Sequence, residues 1–179
     1  MKRYIALLRG INISGKNKVS MAELRKCFEV LDFMEVKTCL NSGNAIFSCK
    51  NTKTAELANR IESMIQHQFS LNIPVFVIPQ DDLADILRHA PVWWRTENQE
   101  IYDNLIFILP PATFPDVYHE IGAPKEGLEQ IQEYQSVVFW SFSRKEYQKT
   151  NWWPKTASVP IGSKLTIRTA NTVRKIIEM

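Results

Sequence analysis

The strongest constraint on this chain is a change of hydrophobic period that recurs through residues 1–79. Leu57, Ile61, Ile65 and Phe69 return every fourth residue, the spacing of an amphipathic helix. Arg3–Leu8, Ala45–Cys49 and Pro74–Pro79 are instead short apolar runs of strand length. Ser20-Met21-Ala22-Glu23 has the pattern of a capping box, and behind it Leu24, Cys27, Phe28 and Leu31 share one helical face. Val36-Lys37-Thr38-Cys39-Leu40 alternates as a strand does, and Asn41-Ser42-Gly43-Asn44 reads as a turn. The predicted order is βαββαβ, the split-βαβ or ferredoxin-like arrangement, with a further helix over Asp81–His89.

Past His89 the rhythm breaks. Pro91, Trp93-Trp94 and a polar, acidic run mark a domain boundary. The reading is an N-terminal ferredoxin-like domain over 1–90, a linker over 91–104, and a second, smaller α+β domain over 105–179. Strands are expected at Leu105–Leu109, Leu128–Tyr134, Val137–Phe142 and Leu165–Arg168. Helices are expected over Asp116–Ile121, Ser143–Gln148 and Thr172–Glu178. The halves share no visible sequence identity, so a duplication is suggested by topology alone.

Composition excludes several classes. At 45% hydrophobic and 23% charged the chain is neither disordered nor fibrous. No apolar run reaches the length of a membrane-spanning helix, and Tyr4–Leu8 is too short for a signal peptide core. Three cysteines without an export signal predict reduced thiols in the cytoplasm. His67, His89 and His119 have no metal-ligand spacing, and no Gly-x-Ser-x-Gly elbow or nucleophile–base pair is visible. Neither metal nor cofactor is expected. Charge, by contrast, is unevenly spread: residues 1–50 carry +5, 51–143 carry −8 and 144–179 carry +6. Basic ends that met in space would attract phosphates or nucleic acid.

The loop after the first strand is the most informative segment. Gly10-Ile11-Asn12-Ile13-Ser14-Gly15-Lys16-Asn17 satisfies G-x-x-x-x-G-K, but Asn17 stands where a nucleotide-hydrolysing P-loop needs Ser or Thr for magnesium. The capping box also starts the helix about four residues too late for a P-loop lysine. The weaker expectation is an anion cradle: glycine backbone N–H groups with Arg9, Lys16 and Lys18 near a helix start. A plain connecting turn with solvated lysines accounts for the same residues equally well.

With these residues in view the chain resembles a bacterial family, domain of unknown function 1697. Arg9-Gly10-Ile11-Asn12, Gly15-Lys16-Asn17-Lys18, Met21-Ala22-Glu23-Leu24, Ser42-Gly43-Asn44 and the closing Thr166-Ile167-Arg168-x-x-Asn171-Thr172-Val173 carry the resemblance. It implies an α+β protein of two small domains with no established reaction. The family's closing motif usually has Asn-Trp after the arginine, where this chain has Thr169-Ala170.

The remaining motifs each have two readings. Ser42, Gly43 and Asn44 suit a hairpin turn, or a hydroxyl and an amide facing a ligand. If Ser42-Gly43 centres that turn, Cys39 opposes Ile46 and Cys49 opposes Val36, so no disulfide forms. The expected topology places this turn and the first loop at opposite ends of the strands, about 20 Å apart. Arg168, Asn171 and Thr172 sit where a strand enters the last helix. They form either a cap, through Thr169 or Asn171, or a phosphate site. Arg144–Lys155 interleaves bases with Tyr147 and Trp152-Trp153, which suits single-stranded nucleic acid or a loop anchored on a core. Tyr4 and Phe47 are the only residues placed to act as RNA-recognition aromatics.

The leading functional expectation is non-catalytic binding of a phosphate-bearing small molecule or nucleic acid through the basic ends. The alternatives are a small acyl-phosphate hydrolase using Arg9 with Asn12 or Asn44, and a protein-interaction module using the tryptophan pairs.

Overall fold

A computed structural model describes all of residues 1–179. The protein is mixed α+β, with two four-stranded antiparallel sheets and six α-helices. The chain divides into two compact units, Met1–Asp85 with Lys175–Met179, and Ile86–Arg174.

The first unit runs β1 (Lys2–Leu8), α1 (Met21–Val30), β2 (Met34–Cys39), β3 (Asn44–Cys49), α2 (Thr54–Phe69) and β4 (Val75–Pro79), followed by α3 (Gln80–Arg88). Its sheet order is β2-β3-β1-β4. Tyr4, Ala6 and Leu8 of β1 join Ala45 and Phe47 of β3 in one core with Leu24 and Phe28 of α1 and Leu57, Ile61 and Ile65 of α2. The period of four therefore does what the sequence requires, turning one stripe of each helix onto the sheet. Tyr4 and Phe47 stack within this core at 5.8 Å and are almost wholly buried. That removes them as base-stacking residues. The C-terminal residues return to this unit: the Met179 carbonyl accepts from Arg3 at 3.1 Å and from Lys37 Nζ at 2.8 Å.

The second unit runs β5 (Ile101–Ile108), α4 (Phe114–Ile121), β6 (Glu129–Tyr134), β7 (Val137–Ser143), α5 (Trp152–Ser158) and β8 (Leu165–Thr169), with α6 (Ala170–Ile177) after it. Its sheet order, β6-β7-β5-β8, repeats the first position for position. The helix expected over Ser143–Gln148 is only a 3-10 turn at Tyr147–Lys149, and the true helix, α5, starts at Trp152. This shift has a tertiary cause. The buried Glu129 carboxylate accepts the backbone N–H of Asn151 at 2.6 Å and of Trp152 at 3.2 Å, so a residue of β6 caps α5.

Glu129 also accepts Lys125 N–H at 2.9 Å and the Trp140 indole at 3.0 Å. Replacing it with alanine leaves four buried or half-buried donors without their acceptor. Glu129→Ala is expected to lower stability by about 3–5 kcal/mol. Glu129→Gln, which keeps the shape and one acceptor oxygen, should cost less. Urea denaturation of both variants checks this ordering.

At α4, the Thr113 hydroxyl and backbone N–H hold the Asp116 carboxyl below its ordinary range. A depressed folded pKa gives stability that is present above the unfolded pKa and lost as pH falls through the folded one. Thr113→Ala should flatten that acid dependence in thermal melts taken between neutral and acidic pH.

Candidate functional site

Two places gather polar side chains with solvent access, one in each unit. In the first, β1 ends at Leu8 and β3 begins at Asn44, and the antiparallel register sets Leu7 opposite Asn44. The expectation that the first loop and the Ser42-Gly43-Asn44 turn lie at opposite ends of the sheet is therefore overturned. In antiparallel strands the end of one adjoins the start of the other. Leu8 N–H donates to Gly43 O at 2.8 Å, and Asn12 Nδ2 donates to Asn41 O at 2.9 Å.

The β2–β3 turn is also larger than expected. Cys39 opposes Asn44, leaving Leu40–Gly43 as the loop, with Leu40 at φ 58° and Gly43 at φ 78°. Cys49 opposes Lys2 of β1 rather than Val36. All three cysteines are free, and burial pushes the Cys39 and Cys49 thiols up, so both stay neutral.

Most of the amides expected to face a ligand hold the loop together instead. Asn12 donates to Val19 O and Asn41 O and accepts from Val19 N–H, each at 2.9 Å. Asn17 Nδ2 donates to Gly10 O at 2.9 Å. Asn44 is fully buried and donates to Cys39 O at 2.8 Å and Ser42 Oγ at 3.0 Å. Asn12 (φ 54°), Ser14 (φ 49°) and Asn17 (φ 46°) are all left-handed, alongside Gly10 and Gly15. Asparagine tolerates that region because its short side chain bonds locally. Ser14, Gly15, Lys16 and Lys18 are exposed at the tip. Arg9 is half-buried at the loop's base.

The second place lies at one end of the second sheet. A cleft of about 470 Å³ is lined by Arg95, Arg144 and Arg174, with Glu97, Asp103 and Asn171 among its other walls. Its lining comes from the loop before β5, from the first residues of β5 and from the start of α6, with Arg144 just past β7. Arg174 reaches Asn171 Oδ1 at 3.4 Å and Glu97 at 3.9 Å. Arg95 donates its backbone N–H to Asp103 at 3.0 Å. Asp103 is also bonded to the Ser141 hydroxyl. Arg95 (φ 62°) and Glu97 (φ 61°) are both left-handed, an unfavourable conformation for long side chains.

A second hollow of about 360 Å³ adjoins the first and shares Tyr102 and Arg144 with it. Phe142, Tyr147 and Trp153 complete its lining. The Arg144 guanidinium lies 4.4 Å from the centre of the Tyr102 ring, a cation–π contact that fixes the arginine between the hollows.

Of the closing motif, Asn171 alone lines the cleft. Thr169 Oγ1 accepts Thr172 N–H at 3.2 Å, so this pair caps α6. Arg168 is buried, donates to Thr166 Oγ1 at 3.0 Å and to Ile167 O at 2.9 Å, and burial pushes its pKa down to about 10. Sequence reasoning missed Arg95, Tyr102 and Arg174. Only Arg174, one turn from Asn171, carried a local signal, that of two residues on one helix face. The tryptophan pairs split: Trp94 and Trp152 are buried in the core, whereas Trp153 is 42% exposed.

The comparisons agree with the family resemblance. A family model described as a protein of unknown function (DUF1697) matches residues 1–139. The closing Thr166–Val173 motif falls outside that match. The chain is also similar to the solved structure of the conserved bacterial protein SP0830 from Streptococcus pneumoniae. Identity is 29%, the alignment covers 99% of this chain and 97% of that one, and the TM-score is 0.87. No curated protein matches.

The loop and the turn should fail together. A Cβ on Gly43 would lie 2.8 Å from both Leu8 Cβ and Ile11 Cδ1, at a φ of +78°. Gly43→Ala is expected to cost about 2–3 kcal/mol, and Asn12→Ala about 2 kcal/mol through its orphaned backbone partners. Hydrogen exchange at Val19 and Leu8 should speed up in both variants.

Proposed function

The chain belongs to the DUF1697 family, and on that footing we propose that it binds a phosphate-bearing ligand, nucleotide or nucleic acid, without turning it over. The observation that carries this reading is the convergence of three arginines on one open cleft in the second unit. Guanidinium groups present a planar fork that matches phosphate oxygens, and they stay charged at any physiological pH. Only two carboxylates share the cleft, and Asp103 is already engaged by Arg95 N–H and Ser141. An anion therefore meets a net positive wall. Asn171 adds an amide at its edge.

The first loop is a separate basic contact in this proposal, within the first unit, suited to the phosphates of a nucleic acid strand. Lys16 and Lys18 extend from a tip whose backbone Asn12 and Asn17 brace from within, so the strand's phosphates meet two cations on one ordered loop. Arg9, Gly10, Gly15, Ser42, Arg168 and Thr172 then act as the frame of the two contacts.

We read both units as ferredoxin-like, the chain being two βαββαβ modules in tandem, each followed by one more helix. The free thiols fit a cytoplasmic setting. No helix is long and apolar enough to cross a membrane. The hydrolase reading finds less support, because the amides of Asn12 and Asn44 bond to backbone and do not face a reacting centre.

Titration calorimetry with inorganic pyrophosphate tests the cleft. Binding is expected to weaken as salt rises, and Arg95→Ala and Arg174→Ala should each lower affinity about tenfold or more. Lys16→Ala/Lys18→Ala should leave pyrophosphate binding intact but weaken binding of a single-stranded oligonucleotide and flatten its salt dependence. Pyrophosphate binding that ignores both arginine variants would overturn the assignment.

A further inference from the structure

The hollow beside the arginine cleft has a different chemistry from the cleft itself. It is walled by Tyr102, Phe142, Tyr147 and Trp153, with Arg144 at the border. These rings belong to a chain of aromatic contacts. Tyr102 and Phe142 are direct cross-strand partners on β5 and β7, stacked at 5.6 Å with 22° between their planes. Trp153 meets Phe142 edge-on at 5.5 Å and Tyr147 at 4.9 Å, the latter pair at 77°. Further inside, Trp140 and Trp152 are fully sealed. The aromatic core of this unit thus runs to the surface and opens there, leaving 42% of Trp153 in contact with water.

An open aromatic wall of this kind costs free energy in water, because its apolar surface could be covered by packing and is not. Its position gives the exposure a use. Tyr102 and Arg144 line both hollows, so an apolar ring lodged against the tryptophan would have its polar extension directed onto Arg95, Arg144 and Arg174. A flat, weakly polar ring joined through a short linker to an anion is the covalent plan of a nucleotide. Inorganic phosphate and a phosphorylated sugar lack the ring. In a duplex the bases are stacked on each other and cannot enter.

We infer that the two hollows together hold one nucleotide unit, its base against Tyr102, Phe142, Tyr147 and Trp153 and its phosphate on the three arginines. The inference rests on the phosphate reading of the cleft and adds the class of ligand. The unit comes either from a free mononucleotide or from an unpaired strand, since both present the same base and phosphate. Arg144 has a part in each half: it lines both hollows, and its guanidinium carbon lies 4.4 Å from the centre of the Tyr102 ring.

The test compares adenosine 5′-monophosphate with ribose 5-phosphate by calorimetry at fixed low salt. The base should improve affinity about tenfold or more, the usual range for stacking on an aromatic wall. Trp153→Ala should erase that advantage and leave ribose 5-phosphate binding unchanged, while Trp153→Phe should restore most of it. Far-ultraviolet circular dichroism should match wild type in both variants, and unchanged ribose 5-phosphate binding by Trp153→Ala reports that the arginine cleft is intact.

A tetranucleotide that binds more tightly than the mononucleotide supports the strand as source, and equal affinities support the free nucleotide. Equal binding of the mononucleotide and ribose 5-phosphate overturns the inference and leaves the phosphate reading standing. Failure of pyrophosphate, ribose 5-phosphate and the mononucleotide alike overturns both. Duplex binding as tight as single-strand binding also overturns the inference.

Discussion

In both sheets the first strand of the unit sits inside, hydrogen-bonded on both sides and antiparallel to both neighbours. That single arrangement decides which connections meet. β1 runs against β3 and β4, so its C-terminal end adjoins the start of each: Leu7 lies opposite Asn44, and Leu8 opposite Val75. The loop leaving β1, the turn entering β3 and the segment entering β4 are brought to one edge, with Arg9 N–H bonded to Pro74 O at 2.9 Å. In the second unit the same pairing brings Ile101 of β5 opposite Ser143 at the end of β7, and Asn104 opposite Thr169 at the end of β8. The loop before β5, the segment after β7 and the start of α6 consequently share one end of the sheet. Those segments supply the arginine cleft.

Each unit secures its irregular backbone with one polar side chain that reaches across the fold. In the first, the Asn12 amide joins its own loop to the β2–β3 turn through Asn41. In the second, the Glu129 carboxylate gathers donors from its own strand entry, from β7 and from the start of α5. Both work for the same reason. A loop or short helix carries backbone groups that no ladder satisfies, and a buried group of that kind is costly. One multidentate side chain meets several of them at once. Lys16 and Lys18 in one unit and Trp153 in the other follow directly on backbone secured in this way.

How far the sequence could be read follows from these contacts. The first unit was legible because its signals are local: the helix stripe at Leu57, Ile61 and Ile65 and the apolar runs that became β1, β3 and β4 each lie within one element. The Ser20 cap on α1 was equally plain, its hydroxyl accepting Glu23 N–H at 3.4 Å. The β2–β3 register was misread because Leu40 takes a left-handed conformation that nothing in its residue type announces. The α5 helix was missed because its cap, Glu129, lies 22 residues away in sequence. Asn12, Asn17 and Asn44 stand out in the sequence as candidate ligand contacts. Their amides turned out to serve the backbone, a distinction that depends on where the neighbouring carbonyls lie.

By itself the sequence determined the element types and their order βαββαβ in the first half, the family and the segments rich in charge and aromatics. Each of these depends on residues within a few positions of one another, or on motifs of contiguous letters. Tertiary structure alone decided that the second half repeats the first and that the first loop touches the β2–β3 turn. It also decided that Arg95, Tyr102, Arg144 and Arg174 line one cleft. Those facts depend on strand direction and pairing partners. Pairing is fixed by burial summed over whole faces of a sheet, and no short stretch of chain records that sum.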